Sequence, residues 1–227
     1  MPDLRHTRTR STPMALAALH RTFGPRARRR IRFSPRLSPQ RRLDLAEGSG
    51  LRVVAGLERS VTTVERQWSL PDTVGPGMRL LISGLNPSPA AAEAGIGFAR
   101  PGNRFWPAAM GAGLVSVDRD PGHALAQHCL GMTDLVKRTT RRADELEKAE
   151  YVAGMARLDR LVRWLGPDTV CFVGLAGWRA AVDRRAVAGR QQLTVGGRPV
   201  YVMPSTSGLN ASASLADLTD HLRAATA

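Results

Sequence analysis

The sequence has few cysteines and scattered histidines, which argues against several kinds of site. Only Cys129 and Cys171 occur among 227 residues, and they form no C-x-x-C pair. This argues against a disulfide scaffold, an iron–sulfur cluster or a cysteine-bound zinc ion, and we expect both thiols to be buried in apolar surroundings. The five histidines form no H-E-x-x-H motif, so we predict neither a metal site nor a cofactor.

Long apolar runs are also missing. No stretch approaches the roughly 18 apolar residues of a membrane helix. The early apolar segment 14–19 is too short for the core of a signal peptide and has no cleavage pattern after it. We therefore expect a soluble, intracellular protein that makes no contact with a membrane.

Lysine is nearly absent, and the positive charge is unevenly distributed. Among 33 basic residues only Lys137 and Lys148 are lysines. Residues 1–70 hold 15 arginines and five acidic residues, whereas residues 71–227 hold 18 basic and 14 acidic residues. The net charge of +14 is compatible with a polyanionic partner. Because an arginine excess can also reflect coding bias, the charge alone leaves both explanations open.

Residues 1–68 show no clear periodicity. Arginine clusters and prolines fill residues 26–42, and residues 51–55 resemble a short, isolated strand. We predict a disordered basic arm, which would raise nonspecific affinity for a polyanion through counterion release. Alternatively, part of this segment reflects the choice of start site, since Met14 and Met78 are both possible starts.

Residues 69–227 alternate between buried strands and amphipathic helices. This order predicts a three-layer α/β/α domain with a short, mainly parallel central sheet. Gly166 and Pro167 end the most regular helix, and Asn103 is a plausible N-cap of another. The predicted strands are residues 78–83, 169–173 and 198–203, and residues 131–136 form a strand or a turn near the core. The predicted helices are residues 103–113, 143–165, 174–182 and 215–224.

Two of the predicted strand ends carry unusual loops. The first runs from Gly84-Leu-Asn-Pro87 to Pro101-Gly-Asn-Arg-Phe-Trp106, and the second is Met203-Pro-Ser-Thr-Ser-Gly-Leu-Asn210. Ligands of open parallel sheets bind at the carboxyl ends of strands. Considered alone, Asn86 either holds its own turn or contacts a ligand. The ring of Phe98 either stacks on a flat ligand or packs on the sheet.

Together the two loops resemble the mismatch-specific uracil/thymine DNA glycosylases, the bacterial mismatch uracil glycosylase type of the uracil-DNA glycosylase superfamily. The matching motifs are Gly84-Leu-Asn-Pro87, Phe98, Pro101-Gly-Asn-Arg-Phe-Trp106 and Met203-Pro-Ser-Thr-Ser-Gly-Leu209. Gly131-Met-Thr-Asp-Leu-Val136 is similar to a further family segment. The resemblance covers about residue 71 to the C-terminus and none of the basic arm.

The resemblance implies a monofunctional DNA glycosylase that flips mismatched uracil, or a related damaged base, from double-stranded DNA. Asn86 would orient the water that attacks C1′. Phe98 would stack on the flipped base, backbone N–H groups near Leu85 and Phe98 would read its edge, and Ser205 would lie at the substrate. An asparagine cannot take the proton of the water as a carboxylate does, so the sequence predicts slow catalysis. The implied setting is base-excision repair by a monomer in the nucleoid-associated cytoplasm.

The second loop would then contact the duplex itself. Gly208, Leu209 and Asn210 would form a wedge that fills the gap left by the flipped base, and Ser207 would hold the loop and nearby phosphates. Arg104 would reach a phosphate or pair with a surface acid. In this sequence Thr206 replaces the usual proline, and Ala90 and Ala91 stand where some relatives have serine. The preferred base therefore stays open.

Two other functions remain compatible with the sequence. One is a non-catalytic module of the same fold that binds lesions or nucleic acid without using Asn86. The other is an unrelated hydrolase with Ser207 as nucleophile and His221 as its base, although no G-x-S-x-G elbow is present.

Overall fold

A five-stranded sheet organises residues 80–203 in the computed structural model, which describes residues 1–227. Its strands are β4 (Leu80–Gly84), β5 (Leu130–Asp134), β6 (Thr169–Val173), β7 (Gly189–Val195) and β8 (Arg198–Met203). The strand order is β5-β4-β6-β8-β7. The first four of these are parallel, and β7 joins the edge antiparallel to β8.

Helices cover both faces of this sheet, as the sequence predicts. The helices are α3 (Pro89–Ala94), α4 (Phe105–Gly111), α5 (Pro121–His128), α6 (Lys148–Leu165), α7 (Leu175–Ala181) and α8 (Leu215–Ala224). Buried residues of α4, α5 and α8 pack with one set of strand side chains, and those of α6 and α7 pack with the alternate set. Continuous apolar strands are typical of a parallel sheet covered on both faces.

Some boundaries differ from those predicted. Helix α6 begins at Lys148 instead of residue 143, because the Glu150 carboxylate accepts a hydrogen bond from the Glu147 N–H (2.9 Å) and caps the helix there. At the start of α4, the Asn103 side-chain oxygen accepts from Phe105 N–H (2.9 Å), and Arg104 occupies the N-cap position. Cys171 is buried as expected, whereas Cys129 is exposed.

The predicted disorder of residues 1–68 is wrong. They form a folded unit with α1 (Thr12–Thr22), β1 (Arg28–Arg32), α2 (Pro39–Gly48), β2 (Leu51–Ala55) and β3 (Val61–Arg66). The strands make an antiparallel sheet in the order β1-β3-β2. Ten buried apolar residues form its core. We refer to this part as the N-terminal unit.

Several arginines of this unit donate hydrogen bonds to its own backbone, which its composition did not reveal. Arg42 donates to the carbonyl of Arg59 (2.7 Å), and Arg66 donates to the carbonyl of Phe23 (2.7 Å). Each element contributes only one or a few apolar residues to the core, so no single segment shows a strong period. The hydrophobic pattern becomes visible only when the elements are packed together.

Buried charges lie at the boundary between the N-terminal unit and the larger sheet, where Asp72 N–H donates to the carbonyl of Gly48 (2.7 Å). The Asp72 carboxylate accepts from Lys137 (2.8 Å) and Arg157 (3.0 Å), and all three side chains are buried. Burial opposes ionisation of Asp72, but the two cations hold its pKa below the ordinary value. Asp44 of α2 accepts two hydrogen bonds from Arg160 of α6 (2.8 and 2.7 Å). The two parts are therefore fixed against each other.

Candidate functional site

The carboxyl ends of β4, β5, β6 and β8 meet at one edge of the sheet, because these strands are parallel. A cleft of about 680 Å³ opens there. Both sequence loops reach it: its lining includes Leu85, Asn86, Phe98, Ser205, Ser207 and Leu209. Gly208, Asn210 and Arg104, the other residues predicted from the sequence, do not line the cleft and instead shape or hold the second loop.

The amide of Asn86 has a fixed orientation. Its Nδ2 donates to the carbonyl of Arg138 (2.9 Å) and to Oγ1 of Thr140 (2.7 Å). The Thr140 hydroxyl donates its own proton to the carbonyl of Arg142 (2.8 Å), so its oxygen is an acceptor toward Asn86. Nδ2 also lies 3.4 Å from the carbonyl of Pro87, so it faces acceptors only, and Oδ1 makes no hydrogen bond within the protein. Asn86 presents a free acceptor oxygen at the cleft.

Phe98 lies in the cleft with one face already covered. Its ring stacks on that of Phe105, with centroids 4.3 Å apart and planes inclined by 20°. Its backbone is left-handed, with φ of 58°, a conformation that non-glycine residues seldom adopt and that often marks functional loops. The indole of Trp106 donates to the carbonyl of Gly97 (2.8 Å) and holds this loop in place. Phe98 thus packs within the protein and also lines the cleft.

Two backbone N–H groups at the cleft have no partner in the protein. Leu85 follows the end of β4, and Phe98 lies in the left-handed turn; neither N–H donates a hydrogen bond to a backbone or side-chain acceptor. Unpaired N–H groups beside a cleft are suited to bind a carbonyl oxygen or an anion.

The second loop presents Leu209 to solvent, with 83% of the residue exposed. Asn210 stabilises the loop by donating from Nδ2 to the carbonyl of Ser205 (2.8 Å), and the Ser207 hydroxyl accepts from Leu209 N–H (3.3 Å). A Cβ on Gly208 would lie 2.8 Å from the carbonyl of Gly102, so this position needs a glycine. The two loops touch at this point.

Arg104 also connects the loops. Its guanidinium donates to the carbonyls of Ala213 (2.5 Å), Asn210 (2.6 Å) and Ser207 (3.3 Å). It pairs with none of the acidic side chains. These contacts place Arg104 in support of the second loop, and its predicted contact with a phosphate stays a prediction. Two arginines that the sequence reasoning missed, Arg100 and Arg141, line the same cleft and are exposed.

Asp134 is the most important residue that the sequence reasoning missed. It ends β5 opposite Gly84 and lines the cleft. Its pKa is raised to about 6, chiefly by burial and also by the nearby Asp72, while Lys137 and Arg157 partly oppose the shift. Its carboxylate makes no hydrogen bond within the protein, in contrast to that of Asp72. The signal was an acid at a strand end in Gly131-Met-Thr-Asp134, which the sequence analysis treated only as part of a motif.

The residues needed for a serine hydrolase do not come together. His221 shares a hydrogen bond with the Tyr201 hydroxyl (2.7 Å), and no hydrogen bond joins it to Ser207. No group of three or more His, Cys, Asp or Glu side chains is arranged to hold a metal ion. No helix is both long enough and apolar enough to cross a bilayer.

A second cleft, of about 1000 Å³, lies between the N-terminal unit and the larger sheet. It contains none of the residues predicted from the two loops. Its chemistry is mixed, with apolar side chains beside both arginines and glutamates. The smaller cleft is the candidate active site, because it combines strand ends, free N–H groups and an unpaired carboxylate.

A comparison with protein families identifies the family of the chain. Residues 71–226 match the model of the uracil DNA glycosylase superfamily, which covers the sheet, both loops and the cleft but not the N-terminal unit. The match spans well over half of the chain. The chain therefore belongs to the uracil DNA glycosylase superfamily, and its activity is that of a DNA glycosylase, which hydrolyses N-glycosyl bonds in DNA.

Proposed function

We propose that the protein, acting as a monomer, removes mismatched uracil or a related damaged base from double-stranded DNA. Residues 69–227 would be the catalytic domain. The observation that carries this proposal is the fixed amide of Asn86, whose free Oδ1 lies at a cleft bordered by the exposed Leu209. The amide can orient a water, and the leucine can enter the space that a flipped base leaves.

The chemistry requires stabilisation of a departing base. As the bond between C1′ and the base nitrogen lengthens, positive charge develops on the sugar and negative charge on the base. Backbone N–H groups of Leu85 and Phe98 can donate to the base carbonyls and stabilise the anion. The Phe98 ring, supported by Phe105, offers a flat surface to the base.

Asp134 supplies a carboxylate that can accept a proton, which the amide of Asn86 cannot do. Asn86 Oδ1 accepts one O–H of the water and aligns it with C1′. The water oxygen bonds to C1′, the electrons of the glycosidic bond leave with the base, and Asp134 accepts the released proton. With a pKa of about 6, Asp134 is ionised at neutral pH yet basic enough for this step. This role revises the expectation of slow catalysis.

Preference for a mismatch follows from the energy of base flipping. Extrusion of a base costs a few kcal/mol of lost stacking and pairing, and this cost is smallest for a mismatched base. Leu209 offsets part of this loss by refilling the stack. Ala91 lines the cleft, and its small side chain leaves room near the base. The range of accepted pyrimidines and purines is therefore left to experiment.

The test uses end-labelled duplexes that each carry one G·U, A·U, G·T or G·hypoxanthine pair, followed by alkaline cleavage of abasic sites. We expect strand scission at G·U and its loss, by at least about 10²-fold, in Asn86→Ala. Gln127→Ala removes an exposed amide on α5 and serves as the matched control with unchanged activity. Binding without scission in any duplex would instead support a lesion-binding module.

A further inference from the structure

The N-terminal unit lies outside the region that matches the superfamily. It has its own core, drawn from residues between Leu4 and Val64. Contacts such as Asp44 with Arg160 hold it rigidly on α6. A folded unit fixed to a glycosylase domain, and not needed for the cleft itself, points to a separate binding role.

One face of the antiparallel sheet and its β1 edge are strongly basic. The arginine surface consists of exposed side chains: Arg28, Arg30 and Arg52 on that face, Arg29 on the other side of the edge strand over the Phe23 ring, and Arg26 just before the strand. Arg28 and Arg52 share Glu65 (2.9 and 2.8 Å), the one acid paired with this surface. The side chains of Arg26, Arg29 and Arg30 form no ion pair. Unpaired guanidinium groups on a rigid sheet are suited to phosphate oxygens.

Only a short stretch of chain separates the arginine surface from the active-site cleft, and its length sets an upper limit on the distance between them. Leu70, which lines the cleft, follows Glu65 by five residues, so their Cα atoms are at most about 18 Å apart. Arg28 pairs with Glu65 across the ladder, which adds about 5 Å. Arg28 is thus within about 23 Å of the cleft lining, less than one turn of duplex DNA, which is about 34 Å.

We propose that the arginine surface binds backbone phosphates of the duplex on one side of the flipped nucleotide. This rests on the proposed function for the identity of the substrate. The rigid attachment to α6 makes the contact directional, because the unit can meet the duplex only on the side toward which it is fixed. The surface adds affinity without reading sequence, since phosphate contacts are the same at every base pair.

Charged side chains on β1 have another explanation, because β1 is an edge strand of its sheet. Arginines there could serve only to prevent edge-to-edge association. Under that explanation their removal would promote aggregation and leave DNA binding unchanged. Light scattering therefore accompanies the binding measurements.

The experiment compares two doubly substituted full-length proteins. Arg29→Gln/Arg30→Gln alters the arginine surface, and Arg184→Gln/Arg185→Gln removes the same charge from two exposed arginines after α7. Helix α7 leads away from the carboxyl edge of the sheet, so the control pair is remote from the cleft. Affinity for a fluorescent G·U duplex is measured by anisotropy between 50 and 300 mM salt, values chosen to span the range in which phosphate contacts weaken.

We expect Arg29→Gln/Arg30→Gln to flatten the salt slope by about 2 and to weaken binding at 0.1 M salt by about 10–100-fold. The control should change neither. Duplexes shortened on one side of the mismatch provide a second readout. The unmodified protein should lose affinity when one particular flank is removed, and Arg29→Gln/Arg30→Gln should lose this asymmetry.

Equal salt slopes for the two variants, or the same response to both shortened flanks, would overturn the proposal. Base excision is scored separately in the same samples. If mismatched duplexes are cleaved but the salt slope of binding is the same in both variants, the proposed base excision stands and the proposed role of the arginine surface fails. If the salt slope depends on Arg29 and Arg30 but no mismatched duplex is cleaved, the arginine surface binds DNA and the proposed base excision fails.

Discussion

The carboxylate of Asp134 occupies the space in which Gly84 has no side chain. A Cβ at residue 84 would collide with Oδ1 of Asp134 and would lie 3.5 Å from Cζ of Phe98. The glycine that opens the first loop is thus required for steric reasons by an acid on the neighbouring strand.

Gly84→Ala should therefore impair excision although it adds only a methyl group. The methyl group displaces Asp134, while it meets Phe98 only at an ordinary contact distance. A shift of about 1 Å in a catalytic group can lower a rate by about 10²-fold. Single-turnover excision measures this effect. Gly75→Ala is the matched control, because a Cβ there meets only Leu125 at 3.7 Å. Equal rates for both variants would contradict the steric relationship.

Thr140→Val should slow excision without weakening DNA binding. The valine has the same shape but removes the acceptor that fixes Nδ2 of Asn86, so the amide can rotate. We expect about a 10-fold lower single-turnover rate, corresponding to about 1.4 kcal/mol. Thr139→Val removes a neighbouring hydroxyl that donates to Trp68 instead, and it should retain the full rate. A loss of affinity in Thr140→Val would indicate a different role.

The role of Asp134 predicts a specific pH profile. Because burial raises its pKa to about 6, the carboxylate form needed to accept a proton is lost as the pH falls through 6. Excision by the unmodified protein should rise between pH 5 and 7 and then level off, about 10-fold for each unit on the acidic limb.

Asp134→Asn should lower the plateau rate and remove this acidic limb. Asp144→Asn is the control, since Asp144 also lines the cleft but is exposed and paired with Arg142. A limb that persists in Asp134→Asn would assign the titration to another group.

Leu209→Ala should affect duplex substrates selectively. The exposed leucine refills the stack only when a base leaves a duplex, so the variant should lose about 10-fold on a G·U duplex and little on single-stranded uracil DNA. Leu193→Ala, at an exposed leucine on β7, controls for loss of apolar surface. An equal loss on both substrates would place Leu209 in another step.

Arg104→Gln and Arg100→Gln should separate a structural arginine from a phosphate-binding one. Loss of the Arg104 contacts leaves loop carbonyls unpaired, which destabilises the protein by about 1–3 kcal/mol and lowers Tm by roughly 2–4 °C per kcal/mol. Arg100 has no side-chain partner, so its variant should keep Tm and flatten the salt slope of binding by about 1. The opposite pattern would restore Arg104 as a phosphate contact.

Local patterns predicted the α/β layers and most of the cleft. The strands β4, β6 and β8 are continuous apolar runs, and the two loops follow two of them directly, so Asn86 and Leu209 could be placed at one edge. The position of Asp134 depends on which strands are neighbours. Since β5 pairs with β4 over a long sequence separation, its proximity to Gly84 could not be read from either segment.

The N-terminal unit was missed for a related reason. Its core is assembled from single residues of several short elements, and arginines such as Arg42 are buried because they bind carbonyls. Composition alone treats every arginine as solvated. A basic, proline-containing segment therefore resembles a disordered chain until its long-range contacts are known.

The C-terminal end of α2 covers the buried charges of the larger domain. The carbonyl of Gly48 accepts from Asp72 N–H (2.7 Å), and a Cβ on Gly48 would lie 3.1 Å from Nη1 of Arg157. Removal of residues 1–68 would keep Asp72 with Lys137 and Arg157 but would open these ion pairs to water, where such pairs stabilise a protein by only about 0–1 kcal/mol. The N-terminal unit is thus part of the shell around these charges, and its loss would weaken the domain that it covers.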